Sequence, residues 1–404
     1  MLRLFNTYGK KIATFRPVNK KVVTVFTCGP SVYQRSHIGN FRTFLFEDVL
    51  VRYLEYSGYT VKRGMTVTDI EDKAIEEAAK RGTTVRLLVD ENIRIFIREM
   101  KLLKMKMPDY LPRASESVEE AADIIRRLLL RGVAYRYKGN IYFDPTRFPG
   151  FGRLYGLDMT KWPSQKRRFH KDTYPGIQWN LGDFILWHGY RQGDKDYWET
   201  GIGRGRPSWN VQDPSMVVRY FDETLSIYCG GIDNLFRHHD YSRAILESVR
   251  PYPMARLWLH CRHLYVDGRK MSKSRGNIVY VDTLLKRGYA PEEIRFFLIC
   301  SRYREDLNYC GRDMKSVVAE LRDFRGKIGK ILKKTGAARP DKTMTAKVKE
   351  IFNRQMDNDL DVKGAFDGLH DFLSRTGIDT LRPEDASGII SSMKEIDKVF
   401  RVVF

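Results

Sequence analysis

Two short segments carry residue types suited to handling a polyphosphate. His37-Ile-Gly-Asn40 stands just after an apolar run and at the start of a helical pattern. Glycine there lets a nucleotide lie against the backbone, a helix N-terminus favours anionic oxygens, and the His37 and Asn40 side chains can donate hydrogen bonds to phosphate. The second segment is DGRKMSKSRGN, Asp267 to Asn277, where Arg269, Lys270, Lys273 and Arg275 interleave with Ser272 and Ser274. Such a loop can surround a triphosphate with charge and hydroxyl donors as pyrophosphate leaves. Each segment alone has a plain reading, a helix cap and a solvated basic loop; their pairing on two halves of one sheet argues for chemistry. Neither G-x-x-x-x-G-K-[ST] nor G-x-G-x-x-G occurs, so P-loop and dinucleotide readings lack their phosphate-cradling loop. Cys28, nine residues before His37, is open to three readings: nucleophile, metal ligand or small buried side chain.

The elements that must position these residues are legible in outline. Lys21–Phe26 (KVVTVF) reads as a buried strand. From Gly39 onward Phe41, Phe44, Leu45, Val49, Tyr53 and Leu54 fall at helical spacing, and Ser57-Gly58 ends the helix. A second strand is expected over Tyr59–Val67, completing a βαβ unit. That unit predicts a doubly wound α/β sheet with its site at the carboxyl ends of the strands. Residues 70–135 are rich in helix formers, whereas 136–208 hold short strand-like pieces, many glycines and aromatics. Strand signals resume at Thr224–Tyr228 and Leu264–Val266, and from Pro291 the pattern is helical, with 326–343 expected to link to a last small bundle. The expected organisation is therefore a Rossmann-type sheet domain from 1–110 and 209–290, an insertion at 111–208, and a helical stem and bundle at 291–404.

Bulk properties narrow the classes. Seventy-one Lys and Arg against fifty Asp and Glu give a net charge of +21, a field that favours polyanions such as nucleic acid. No apolar run is long enough for a membrane span, and MLRLFNTYGKK has no signal core. Five cysteines in 404 residues make no disulfide framework, and no C-x-x-C pair anchors a zinc ribbon. A cytoplasmic setting without membrane contact is the expectation.

Together, HIGN at 37–40 and KMSKS at 270–274 resemble the two signatures of class I aminoacyl-tRNA synthetases. The surrounding text is similar to the cysteinyl-tRNA synthetase family: TCGPSVY at 27–33, TDIEDK at 68–73, GGID at 230–233, HH at 238–239 and WLH at 258–260. The likeness runs through essentially the whole chain. It implies a Rossmann-type catalytic domain with an inserted connective peptide, then a C-terminal helical bundle. It also implies roles: His37 and Asn40 on the ATP phosphates, helped by Lys270 and Lys273 in a mobile loop with Ser272 and Ser274; Gly39, Gly231 and Asp233 around the ribose and adenylate; Ser31, Thr68 and Trp209 in the amino-acid pocket. The implied reaction is attack of a substrate carboxylate on the α-phosphate of ATP, with Mg2+ beside the triphosphate. Such adenylation works by positioning and charge stabilisation, and it removes the need for a cysteine nucleophile.

The resemblance also implies a zinc held by two Cys, one His and one Glu, which captures a substrate thiolate because a soft ligand suits a borderline-soft metal. Here Cys28 and His238 keep their places, but Asp213 stands where the second cysteine belongs and Ser242 where the glutamate belongs. Cys28, Asp213 and His238 would make a weak three-ligand site, so a metal-free pocket is expected over zinc. Asp213 then needs a cation, either an Arg or Lys of the protein or an amine on the substrate. His239 reads as a satisfied core residue. The chain is expected to stop after a first helical bundle, without the anticodon-binding domain of full-length relatives, as in the ligase of mycothiol biosynthesis. The leading expectation is ATP-dependent amino-acid activation with transfer to tRNA or a small amine or carrier, and a specificity changed from cysteine. The alternatives are a cysteine–tRNA ligase with a modified metal site, mycothiol-ligase-like transfer, and a non-catalytic nucleic-acid-binding paralogue.

Overall fold

The computed structural model describes residues 1–158 and 183–404, so the part of the expected insertion at 159–182 lies outside the described residues. Four parallel strands form the central sheet, in the order Ala255–Cys261, Leu225–Gly231, Val22–Thr27, Thr60–Met65. Both faces are covered, which is why Val22–Phe26 is a near-continuous apolar run with no polar alternation. Val25, Ile227 and Leu259 enter the core on one face, and Phe26, Tyr228 and Trp258 the core on the other. After Val22–Thr27 the chain crosses outward to Thr60–Met65 and later returns on the other side at Leu225–Gly231. The strand order reverses between those two central neighbours, and their carboxyl ends frame the crevice where α/β sheets bind ligands.

The crossover helix runs Ile38–Tyr56. It is buried on nearly all sides because the sheet lies under it and the C-terminal helices lie over it. Two strands differ in extent from the sequence expectation. Thr60–Met65 is shorter, because Val67 and Thr68 leave the sheet to bridge Arg113 and Ser31. Leu225–Gly231 is longer, because its glycines keep pairing with His260 and Cys261. A separate antiparallel sheet holds Ala134–Tyr137, Asn140–Phe143, Phe184–Gly189, Gly203–Pro207 and Trp198–Thr200 in spatial order.

Beyond Pro291 the helical expectation needs two corrections. A short strand, Leu307–Tyr309, pairs in parallel with Leu264–Val266. Of the basic stretch 326–343, residues 326–332 continue the helix Gly311–Leu332, because Ile328 and Ile331 extend the apolar stripe of Val318, Leu321 and Phe324 into the core, and 333–341 connect it to the next helix. Lys342–Met356, Val362–Arg375 and Pro383–Phe400 complete the bundle. Its core is continuous with that of the sheet face under Ile38–Tyr56. No helix among the described residues is long and apolar enough to cross a membrane.

Candidate nucleotide and amino-acid site

The carboxyl ends of Val22–Thr27 and Leu225–Gly231 open onto a cavity of about 1070 Å3. His37, Asn40, Gly231, Asp233, Lys270, Ser272 and Lys273 stand on its wall, bringing the two phosphate-handling segments to one space across more than two hundred residues of chain. His37 is the N-cap of Ile38–Tyr56: its Nδ1 accepts the Asn40 N–H at 3.2 Å, while Asn40 Oδ1 accepts the His37 N–H at 3.0 Å. Burial lowers His37 to about 4, against the pull of the Asp233 carboxylate. The ring is therefore neutral at pH 7, and with Nδ1 accepting, the hydrogen-bond network assigns its proton to Nε2 as a donor. Asn40 keeps its Nδ2 as a second donor beside the helix N-terminus.

Opposite lies the basic loop. Ser272 N–H donates to Asn277 Oδ1 at 3.0 Å, and Asn277 Nδ2 and Arg275 both donate to the Lys270 carbonyl at 3.3 Å. Ser274 is off the wall, its hydroxyl 3.3 Å from that of Ser272. Gly39 is also off the wall, with the Met271 side chain packed over it: a Cβ there would lie 2.7 Å from Met271 Cε and the methionine would have to shift. Lys273 Nζ sits 4.0 Å from Glu77 Oε2 and 5.6 Å from the Tyr33 ring centre. An exposed pair of this kind is worth about 1 kcal/mol or less. Glu77→Gln should accordingly free the lysine and lower the KM for ATP by no more than about fivefold, read by steady-state kinetics at two ionic strengths.

The same cavity is also lined by Cys28, Ser31, Thr68 and Trp209, the residues expected for an amino-acid pocket. Ser31 and Thr68 are held together by a backbone bridge, with Thr68 N–H to the Pro30 carbonyl and Val32 N–H to the Thr68 carbonyl, each at 3.0 Å. Glu71 adds a carboxylate to this wall, pushed up by burial, with one oxygen lacking a partner. Asn234 Nδ2 approaches Cys28 Sγ at 3.5 Å.

Asp213, His238 and Ser242 are fully buried behind this wall. The Trp209 indole lies parallel to the His238 ring at 4.0 Å and covers it. Asp213 Oδ2 accepts from Tyr228 OH and stands 3.0 Å from His238 Nε2. No Arg or Lys of the described residues lies within ion-pair reach of it, and it stands off the cavity wall, behind Cys28. In place of a protein cation Asp213 has the Tyr228 hydroxyl, and His238 Nε2 lies close without a hydrogen bond. Burial first, and then Asp213, hold the Cys28 and Tyr228 protons well above their ordinary range. Donor atoms of Cys28, Asp213, His238 and His239 all lie within 4.8 Å of one another. His239 is therefore no satisfied core residue: its Nε2 has no hydrogen-bond partner, and neither do Asp213 Oδ1 and Ser242 Oγ.

The reason two successive histidines both turn inward is local. Leu235–Asp240 forms a π-helical turn, a widened coil often found at functional sites. The HH doublet was the sequence signal for His239. Tyr228 and Glu71 had none beyond lying in a strand and in a quoted motif.

The fold and the facing His37 and Lys270 segments define the catalytic domain of a class I synthetase. The family model for the class I (C) tRNA synthetase catalytic domain matches residues 14–319. Two solved structures share the fold at low identity. One is a methionyl-tRNA synthetase of Mycobacterium tuberculosis with methionyl-adenylate, with a TM-score of 0.65 and 15% identity over 95% of this chain and 90% of that one. The other is a leucyl enzyme of Agrobacterium radiobacter in complex with tRNA, with a TM-score of 0.67 and 12% identity over 96% and 85%. Cysteine–tRNA ligases of Chlamydia pneumoniae and Koribacter versatilis are each 34% identical over 100% of this chain, which covers 86% and 82% of their lengths. The chain belongs to the cysteinyl-tRNA synthetase family.

Proposed function

We propose that the protein is an ATP-dependent ligase that joins ATP and cysteine to cysteinyl-adenylate and pyrophosphate, then passes the cysteinyl group to tRNA. The family supports the reaction type, and the net charge of +21 suits a polyanionic acceptor. In this reading His37 Nε2, Asn40 Nδ2, Lys270 and Lys273 bind the triphosphate from two sides, with Mg2+ alongside. No side chain is a nucleophile; the substrate carboxylate is.

The observation that carries the choice of amino acid is the burial of Asp213 behind the cavity wall. A pocket re-cut for a cationic side chain would place this carboxylate on the cavity wall, whereas Asp213 is fully buried behind it, with Oδ2 bonded to Tyr228. That arrangement supports the modified-metal reading over the changed-specificity one. The residues fit a zinc ion: Cys28, Asp213 and His238 offer a thiol, a carboxylate and an imidazole, and the buried Asp213 Oδ1 has no partner that a cation would replace. When bound, such an ion holds the substrate thiolate; the protein's part is to hold the donors, cover them with Trp209 and keep water out.

The test is ATP–pyrophosphate exchange against all twenty amino acids plus ornithine, with and without tRNA charging. Exchange with cysteine alone is expected; exchange with ornithine or lysine in its place overturns the proposal. Replacing a thiolate by a carboxylate also hardens the site, which narrows the advantage of cysteine over serine. Asp213→Cys should therefore raise that preference by roughly tenfold, about 1.4 kcal/mol, measured as the ratio of kcat/KM values in exchange.

A further inference from the structure

Cys28, Asp213 and His238 supply only three protein atoms, and Ser242, where the family carries its glutamate, is buried with no hydrogen bond. We infer that His239 supplies the fourth donor through Nε2, and that His260 and Thr7 are positioning residues that hold its ring for that role. The inference rests on the metal reading of the pocket floor and gives that site a ligand set of its own.

Three observations converge on His239. Its Nε2 is buried and unpartnered, and its ring offers a nitrogen within 4.8 Å of the Cys28, Asp213 and His238 donors. Its Nδ1 is 2.8 Å from His260 Nε2, and His260 Nδ1 is 2.8 Å from Thr7 Oγ1, so a buried chain of hydrogen bonds runs from the pocket to the N-terminal segment. Gly230 makes the room: a Cβ there would lie 2.4 Å from His239 Cε1 and 3.2 Å from Cys28 Cβ, so a larger residue would push the ring off the thiol.

The chain can run in two directions, and the pocket distinguishes them. If Thr7 donates to His260 and His260 to His239, then His239 Nε2 carries its proton into the cluster. It meets no acceptor there, and Asp213 Oδ1 stays unmatched as well. Leaving both a buried N–H and a buried carboxylate oxygen unpaired is costly. In the opposite direction His239 Nδ1–H donates to His260 Nε2, and His260 Nδ1–H donates to Thr7 Oγ1. Nε2 then presents a lone pair to the cluster that includes the unpartnered Asp213 Oδ1, and one cation can satisfy both atoms. Metal-bound histidines commonly give their second ring N–H to such an outer partner, and losing that partner costs about 10- to 100-fold in metal affinity.

The experiment is zinc titration of the full-length apoprotein by competition with a chromogenic chelator, together with the absorption spectrum of the cobalt form. The wild type is expected to take one ion per chain and to give a tetrahedral cobalt spectrum with thiolate charge transfer. His239→Ala should weaken binding at least 100-fold and alter the spectrum, and Thr7→Val should weaken it about 10-fold with an unchanged melting temperature. Thr7→Ser should restore wild-type affinity, and Ser242→Ala should leave it unchanged. A wild type that takes up no ion, a His239→Ala variant that binds as the wild type does, or a Thr7→Val variant of undiminished affinity overturns the inference. ATP–pyrophosphate exchange on the same samples separates the two readings: cysteine-dependent exchange in a metal-free wild type removes this inference and leaves the activation reading standing.

Discussion

His37→Asn should cut the rate of ATP–pyrophosphate exchange by about 10²- to 10³-fold while leaving the thermal midpoint close to that of the wild type. The two halves of this expectation come from the two nitrogens of one ring. Nδ1 is structural, accepting the Asn40 N–H that would otherwise be an orphan donor at the start of the helix. Asparagine is a favoured N-cap and can take over that contact. Nε2 is the donor on the cavity side, and asparagine is too short to put an N–H there. His37→Ala removes both functions, so it should match the loss of rate and add a destabilisation of about 1 kcal/mol. Because burial already holds the ring near 4, the exchange rate should show no inflection from His37 between pH 6 and 8. An inflection there that disappears in His37→Asn would mean the ring enters the reaction as a cation.

The largest effect on stability is expected at Arg295. Its guanidinium is fully buried, 2.6 Å from Asp48 Oδ2, and donates to the carbonyls of Phe400 at 2.7 Å and Leu103 at 3.0 Å. Asp48 lies on the helix that His37 caps, and Phe400 ends the last helix of the bundle. One side chain thus fastens the bundle to the element that begins the nucleotide site. Arg295→Met should cost about 3 to 5 kcal/mol in urea unfolding, since it strands a buried carboxylate and two carbonyls. Arg52, 2.8 Å from the same carboxylate oxygen, keeps the loss toward the lower figure.

The pH dependence follows from the same pair. Burial pushes the Asp48 carboxyl up, but Arg295 and then Arg52 outweigh it, and the net direction is below the usual carboxylate range. A carboxyl held low in the folded state contributes stability that is full above its unfolded value and is lost as pH falls through its folded value. The wild type's advantage over Arg295→Met should therefore be constant at neutral pH and shrink below about pH 4. If Asp48→Leu with Arg295→Met is no more stable than Arg295→Met alone, the cost lies in the backbone carbonyls and not in the stranded charge.

The gathering of the two candidate phosphate segments on one cavity was legible because their features are local. HIGN is at once a turn, a cap and a donor set within four residues, and the basic loop carries its own Asp-Gly turn and its own Asn277 clasp. The alternation of apolar and helical periods likewise revealed the parallel sheet and the helical tail. The first part of the run at 326–343 misled because its lysines dominate the composition, while Ile328 and Ile331 between them decide the packing.

The amino-acid half was not legible, and the reason is sequence separation. From the sequence, Asp213 was a charge in need of a cation; the fold gave it Tyr228, fifteen residues on in a neighbouring strand, and His238 from a π-helical turn. His239 was a doublet's second member until strand pairing set His260 behind it and the N-terminal segment set Thr7 behind that, 253 residues from His260 in the chain. Residue types alone marked a histidine-capped helix start and a basic loop as candidates for a triphosphate, and Asp213 and Ser242 as departures from the metal-ligand pattern that the resemblance implies. Only the tertiary structure decided which buried atoms remain unpaired, since in a closed interior it is the neighbours from distant segments, and not the residue's own chemistry, that satisfy a donor or leave it free for an ion.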